Sequence, residues 1–169
     1  MPIIFFLFLS GCQDKTVNEE VSEDPFPESG IMEGITEAHN QIRRAHGVPD
    51  LTWDQDMVDL SIEWIEYLDQ ENNCEMEHNW DSPYGENLFW ATYETTNDVV
   101  VESWASEEEY YNYDTNECAE GEMCGHYTQI VWEETKLVGC AMTICGNNGG
   151  YLWMCNYDPI GNIVGQQPY

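Results

Sequence analysis

Basic residues are scarce in this chain. Four Lys and Arg stand against 33 Asp and Glu, a formal net charge of −29 over 169 residues. Nothing here can neutralise a run of phosphates, so nucleic-acid binding is excluded. The same shortage excludes electrostatic docking on anionic lipid, which needs clustered Lys and Arg. Long apolar runs are missing too: the uncharged opening PIIFFLFLSG, residues 2–11, is far short of the ~20 residues that span a bilayer. There is no C-x-x-C pair, which argues against a structural zinc site. There is no G-x-S-x-G elbow for a serine nucleophile. No stretch repeats, so one domain accounts for the length.

Aromatic residues, by contrast, make up 13% of the chain, with seven Trp and ten Tyr. A disordered acidic chain is poor in them, so this one folds. An acidic globule of this kind repels itself and suits high salt, divalent cations or cationic partners.

The apolar opening fits the core of an export signal. Leu9-Ser10-Gly11-Cys12 resembles the bacterial lipobox, in which the Cys is lipidated and becomes the mature N-terminus. It departs from that pattern in one respect, since no Lys or Arg precedes the apolar run. Residues 1–12 are therefore read as a signal ending at Cys12. Residues 13–30, acidic and without periodicity, are read as a solvated tether, and residues 31–169 as the domain. Any membrane attachment would run through Cys12 alone.

Setting Cys12 aside leaves Cys74, Cys118, Cys124, Cys140, Cys145 and Cys155. An even number behind an export signal implies three disulfides and an extracytoplasmic, oxidising compartment. Spacing leaves 15 pairings open, but one pair can be argued. Residues 138–145 and 151–157 read as strands around the turn signal Gly146-Asn147-Asn148-Gly149-Gly150. A symmetric hairpin sets Cys140 opposite Cys155, within disulfide reach.

Ile31, Ile35, Ala38, Ile42 and Ala45 mark one helical face. A second helix is expected over about 54–70, capped by Thr52 or Asp54, with Met57, Leu60, Trp64 and Leu68 buried. Residues 71–96 read as loop with short structured pieces. A third helix is expected over about 97–113. There Val100, Trp104, Glu107 and Tyr111 share a face, which puts a carboxylate on an apolar stripe. Residues 125–135, GHYTQIVWEET, are long enough for about two helical turns. By themselves His78 and His126 read as polar loop residues, and Ser103 as structural. Phe89-Trp90, Tyr110-Tyr111 and Tyr113 read mainly as core, with lining of an apolar ligand cleft as the alternative.

Several motifs, in order, carry a resemblance: His39-Asn40 with Arg43, Leu51-Thr52-Trp53, Gly85-Glu86-Asn87-Leu88, GHYTQIVWEET, and CNYDPIGN at 155–162. Over about residues 31–169 the chain resembles the CAP superfamily of cysteine-rich secretory, antigen 5 and pathogenesis-related 1 proteins. The ending GNIVGQQPY is most like the plant pathogenesis-related 1 members. The resemblance implies an α+β fold, a three-layered α-β-α sandwich with a small, mostly antiparallel sheet. It also implies the disulfides Cys74–Cys145, Cys118–Cys124 and Cys140–Cys155. Finally, it implies a cleft formed by His78, Glu86, Glu107 and His126.

Two imidazoles and two carboxylates suit Zn²⁺ or another divalent cation, with His78 and His126 as the first ligands and Glu86 or Glu107 as a base toward bound water. Burial is expected to raise the carboxyl pKa values and a bound cation to lower them. Family members with these four residues have different roles, so the tetrad by itself does not establish catalysis. The reading adopted is an exported, lipid-anchored protein, not an enzyme, that binds a small apolar ligand such as a sterol or lipid, or an extracellular protein. A metal-dependent hydrolase is the alternative, and a scaffold with a vestigial cleft is the third reading. Mass spectrometry of the mature N-terminus is expected to find an acylated Cys12; cleavage elsewhere with Cys12 unmodified refutes the anchor.

Overall fold

The computed structural model describes residues 28–147 and 149–169. Cys12, the lipobox and the tether up to residue 27 lie outside the described residues. Helix α1 spans Ile35–Ala45, and Glu28 already bonds its first turn, accepting from the Thr36 N–H at 3.0 Å. The expected face starts too early. Ile31 lies in a separate 3-10 turn, Gly30–Met32, and is exposed, while Met32 is buried. Gly34, at φ 88°, separates the turn from the helix in a conformation that suits glycine.

Helix α2 runs Gln55–Glu71 and is capped by Asp54, whose Oδ1 accepts from the Met57 N–H at 3.1 Å. Its buried residues are Met57, Ser61, Ile65 and Leu68, with Leu60 and Trp64 only half-buried. The expected stripe is thus rotated. Ser61 counts as polar in a sequence, yet its hydroxyl is buried and donates to the Gly139 carbonyl at 2.9 Å. Helix and sheet approach closely there, since a Cβ on Gly139 would lie 2.6 Å from the Asp54 carbonyl oxygen.

Strands β1 (Thr52–Trp53), β2 (Gly85–Ala91), β5 (Leu137–Ile144) and β6 (Tyr151–Asp158) form one sheet in the order β1-β5-β6-β2. Only the β1–β5 pairing is parallel. The β5–β6 register sets Cys140 opposite Cys155, and a disulfide joins them. Strand β2 is the structured piece within 71–96, which the sequence reading left unassigned. GENLFWA shows no apolar–polar alternation because both of its faces are covered. Leu88 and Trp90 pack with Ile65 and Leu68 of α2. Phe89 and Ala91 pack with the cluster on the opposite face, which contains α1, α3 (Asn97–Ala105) and α4 (Gly125–Ile130).

Three layers result: α2, the sheet, and the group α1, α3 and α4. The third helix is shorter than expected. It gives way to a 3-10 turn, Ser106–Tyr110, and then to a two-stranded pair of β3 (Tyr111–Asn112) and β4 (Glu117–Cys118). Glu107 stays on the inner side, buried with Val100 and Trp104. Cys74–Cys145 ties the end of α2 to the end of β5, and Cys118–Cys124 ties β4 to the start of α4.

One buried cation joins these parts. Arg43 of α1 is fully buried and donates to the carbonyls of Pro49 (2.5 Å), Ile130 (2.7 Å), Trp132 (2.8 Å) and Thr135 (3.0 Å). Burial pushes its pKa down to about 10, against the pull of Asp50, Tyr157 and Glu133, so it remains charged at neutral pH. The Ile130 carbonyl ends α4 and that of Trp132 lies just past its C-cap, where a cation also opposes the helix dipole. Lysine keeps the charge but not the planar fan of donors. Arg43→Lys is therefore expected to lower the unfolding free energy in urea by about 2–4 kcal/mol.

Candidate functional site

The four expected residues form two pairs on either side of edge strand β2. His78, in the loop before β2, donates from Nδ1 to Glu86 Oε2 at 3.1 Å, and the Asn79 N–H joins the same oxygen at 3.0 Å. Glu86 is two positions from Leu88 in β2, so it shares the α2 face of the sheet. Glu107 and His126 are on the other face, with His126 Nδ1 2.6 Å from Glu107 Oε1. A carboxylate only accepts, so Nδ1 is the donor in each pair, and in the neutral form of either imidazole Nε2 then holds the lone pair.

Glu107 has a second task. Cys124, at the N-cap of α4, supplies no side-chain bond there. Glu107 Oε2 takes that place, accepting from the His126 N–H at 2.9 Å and the Tyr127 N–H at 3.3 Å. These are the donors an N-cap side chain normally satisfies. Burial alone would raise the Glu107 carboxyl. The His126 side-chain bond, the imidazole charge and the two N–H bonds outweigh burial, and the pKa falls below the ordinary carboxylate value. At this residue the expectation of a raised value is therefore corrected.

His78, Glu86 and His126 line one open cavity of about 570 Å³, with Asn87 and Gln129 among the other polar walls. Glu107 stands behind His126 and not on the cavity wall. The apolar lining is Trp80, Tyr84, Met123 and Ile160, of which Trp80 is 83% exposed. None of the aromatic residues picked out from the sequence is on this wall. Phe89 and Tyr111 pack on the core, Trp90 packs beside α2, and Tyr110 and Tyr113 are exposed elsewhere. A lone Trp between polar neighbours was the available signal for Trp80. Among the described residues, no three His, Cys, Asp or Glu side chains converge as a metal cluster. The donor types do suit a metal, because each imidazole is oriented by a carboxylate at Nδ1 and leaves Nε2 free.

The cysteine-rich secretory protein family, CAP, matches residues 36–157. The chain belongs to this family. It is 44% identical to pathogenesis-related protein 1C of Nicotiana tabacum over 134 residues, covering 79% of this chain and 77% of that one. It is 37% identical to pathogenesis-related protein PR-1 of Medicago truncatula over 168 residues, covering 98% and 95%. Among solved structures, Schistosoma mansoni venom allergen-like protein 4 aligns with TM-score 0.59 and 26% identity, over 80% of this chain and 91% of that one. The crystal structure of NaASP2 with Zn²⁺ aligns with TM-score 0.62 and 20% identity, over 85% and 88%. The protein is thus a disulfide-bonded member of a secretory family.

The motifs of this CAP domain meet at Gln129. Its Oε1 accepts from the Gly161 N–H at 3.0 Å, and a Cβ on Gly161 would lie 2.8 Å from that oxygen. A Cβ on Gly85 would collide with the same side chain. The glycines of GENL and PIGN are therefore places where Gln129 lies against the backbone. A second network runs behind His126. His39 Nδ1 donates to the Ile35 carbonyl at 2.7 Å, so Nε2 accepts from the Tyr157 hydroxyl at 2.8 Å. The Asn87 amide then donates to Tyr157 Oη at 3.2 Å and to the His126 carbonyl at 3.1 Å.

Burial lowers the pKa of His39 to about 4, whereas Tyr157 is raised by its own burial and stays a donor. A histidine with a depressed folded-state pKa binds a proton more readily when unfolded, so its contribution is complete above about 6.5 and is lost toward 4. The stability advantage of the wild type over His39→Asn is expected to shrink by about 3 kcal/mol as pH falls through that window. Urea unfolding at several pH values measures it.

Proposed function

We propose that this CAP protein binds a neutral, hydroxyl-bearing lipid such as a sterol in the cavity beside β2, outside the cytoplasm and tethered through Cys12. The observation that carries this reading is Asn87 Oδ1. It is a buried acceptor with no hydrogen-bond partner among the described residues, on a residue lining that cavity. An unpaired buried acceptor is costly, and a ligand hydroxyl would satisfy it. Trp80, Met123 and Ile160, all exposed, offer apolar surface above this polar floor. A fatty-acid carboxylate suits the site less well, since it brings no donor and adds negative charge to an acidic protein. Binding of a fluorescent sterol is expected to exceed that of palmitate. Ile160→Asp should weaken sterol binding at least about tenfold. Equal binding of both lipids, or no effect of Ile160→Asp, overturns the reading.

Metal binding is the second reading. Its support is the pair of carboxylate-oriented imidazoles, together with the relative NaASP2, whose structure contains Zn²⁺. His78 and His126 would be the ligands. The metal would supply a polarised water, with Glu86 and Glu107 holding the imidazole tautomers. Zn²⁺ is expected to raise the melting temperature of the wild type but not of His78→Ala/His126→Ala, in added salt that screens the surface carboxylates. An equal rise in both proteins overturns the metal site. A selective rise without turnover of any peptide or ester leaves binding and removes the hydrolase.

A further inference from the structure

We propose that a second, smaller cavity on the α2 side of Glu86 is a site for a guanidinium or primary ammonium group. This cavity measures about 210 Å³ and is lined by Glu63, Trp64 and Tyr67 of α2, by Glu86, and by Met154 and Asn156 of β6. It shares Asn79, Ser82 and Glu86 with the larger cavity and has none of that cavity's apolar lining.

Two independent features point to a cation. The first is Glu86. Its side chain is only 5% exposed, and while Oε2 takes two donors, Oε1 is buried without a partner among the described residues. A buried carboxylate oxygen without a donor favours a charged N–H over any neutral or anionic group. The second is the aromatic pair. Trp64 and Tyr67 are stacked with ring centroids 4.9 Å apart and planes 26° apart. The indole N–H of Trp64 is already engaged by the Glu77 carbonyl at 2.8 Å, so what it can offer a ligand is its π system, which attracts cations.

Charge supports the same conclusion. Of the Lys and Arg among the described residues (Arg43, Arg44 and Lys136), none lines either cavity. Exposed Glu63 adds a second carboxylate to the site. The net charge of −29 raises the local concentration of any cation. The missing donor at Glu86 Oε1 calls for a group with N–H bonds, which a quaternary ammonium lacks.

The test is a heteronuclear NMR titration of the intact protein in 0.15 M salt with N-acetyl-arginine-N-methylamide. The neutral citrulline analogue serves as the isosteric control. The arginine probe is expected to shift the Trp64 indole and Tyr67 ring signals saturably, and the citrulline probe is not. Glu63→Gln and Tyr67→Ala change partly or wholly exposed side chains. Each should raise the dissociation constant about fivefold without altering sterol binding in the larger cavity. Equal response to both probes, shifts that avoid Trp64, or unchanged affinity in both variants overturns the proposal.

Discussion

Helix α4 is six residues long, too short to stand on its own backbone bonds, and both of its ends are held by ions of the correct sign. Glu107 accepts from the N–H groups at its start, and Arg43 donates to the Ile130 carbonyl at its end and to that of Trp132 just beyond. Each ion removes unsatisfied polar groups from the interior and opposes the helix dipole. The two clamps come from different elements, a 3-10 turn after α3 and the last turn of α1. The packing of α1, α3 and α4 into one layer therefore depends on them. His126 sits inside the clamp as the second residue of the helix, so its position is set by the same bonds.

This explains why a carboxylate on an apolar stripe is tolerated at Glu107. Such a residue invites a catalytic reading, and its depressed pKa fits one. The geometry assigns it structural work first, as the cap of α4 and the partner that fixes the His126 tautomer. His78 and Glu86 make a matching pair from the other side of β2. Because β2 is an edge strand, groups from opposite faces of the sheet reach the same cavity around its rim. Glu86 then stands between two cavities of different character, one with exposed apolar walls and one with stacked aromatics and a second carboxylate.

The two arginines of α1 are used differently. Arg43 faces backbone carbonyls in the interior, while Arg44 bridges Glu37 and Asp50 in the open. The open bridges are worth little in water. Arg43 instead makes four directed bonds in the interior, and its removal would strand the Pro49, Ile130 and Thr135 carbonyls, while that of Trp132 keeps the Thr135 N–H.

Much of the fold was legible in the sequence because local rules and long motifs agree there. The hairpin register followed from a glycine-rich turn centred between two strand-forming stretches, and register alone brings Cys140 to Cys155. Glu107 was legible as an inward-facing acid because its spacing from Trp104 survives the change from α to 3-10 winding. The motifs named His78, Glu86 and His126 as members of one cleft. What they could not give was the division into pairs, since that depends on which face of β2 each side chain leaves. The buried face of α2 was misread at Ser61, because a polar residue joins the core only when a partner such as the Gly139 carbonyl is present. Strand β2 was hidden because a strand covered on both faces loses its alternation. The cavity wall at Trp80, the smaller cavity at Trp64 and Tyr67, and the unpaired oxygens of Glu86 and Asn87 belong to the tertiary structure alone. Each is defined by atoms distant in the chain whose approach, or absence, no local pattern records.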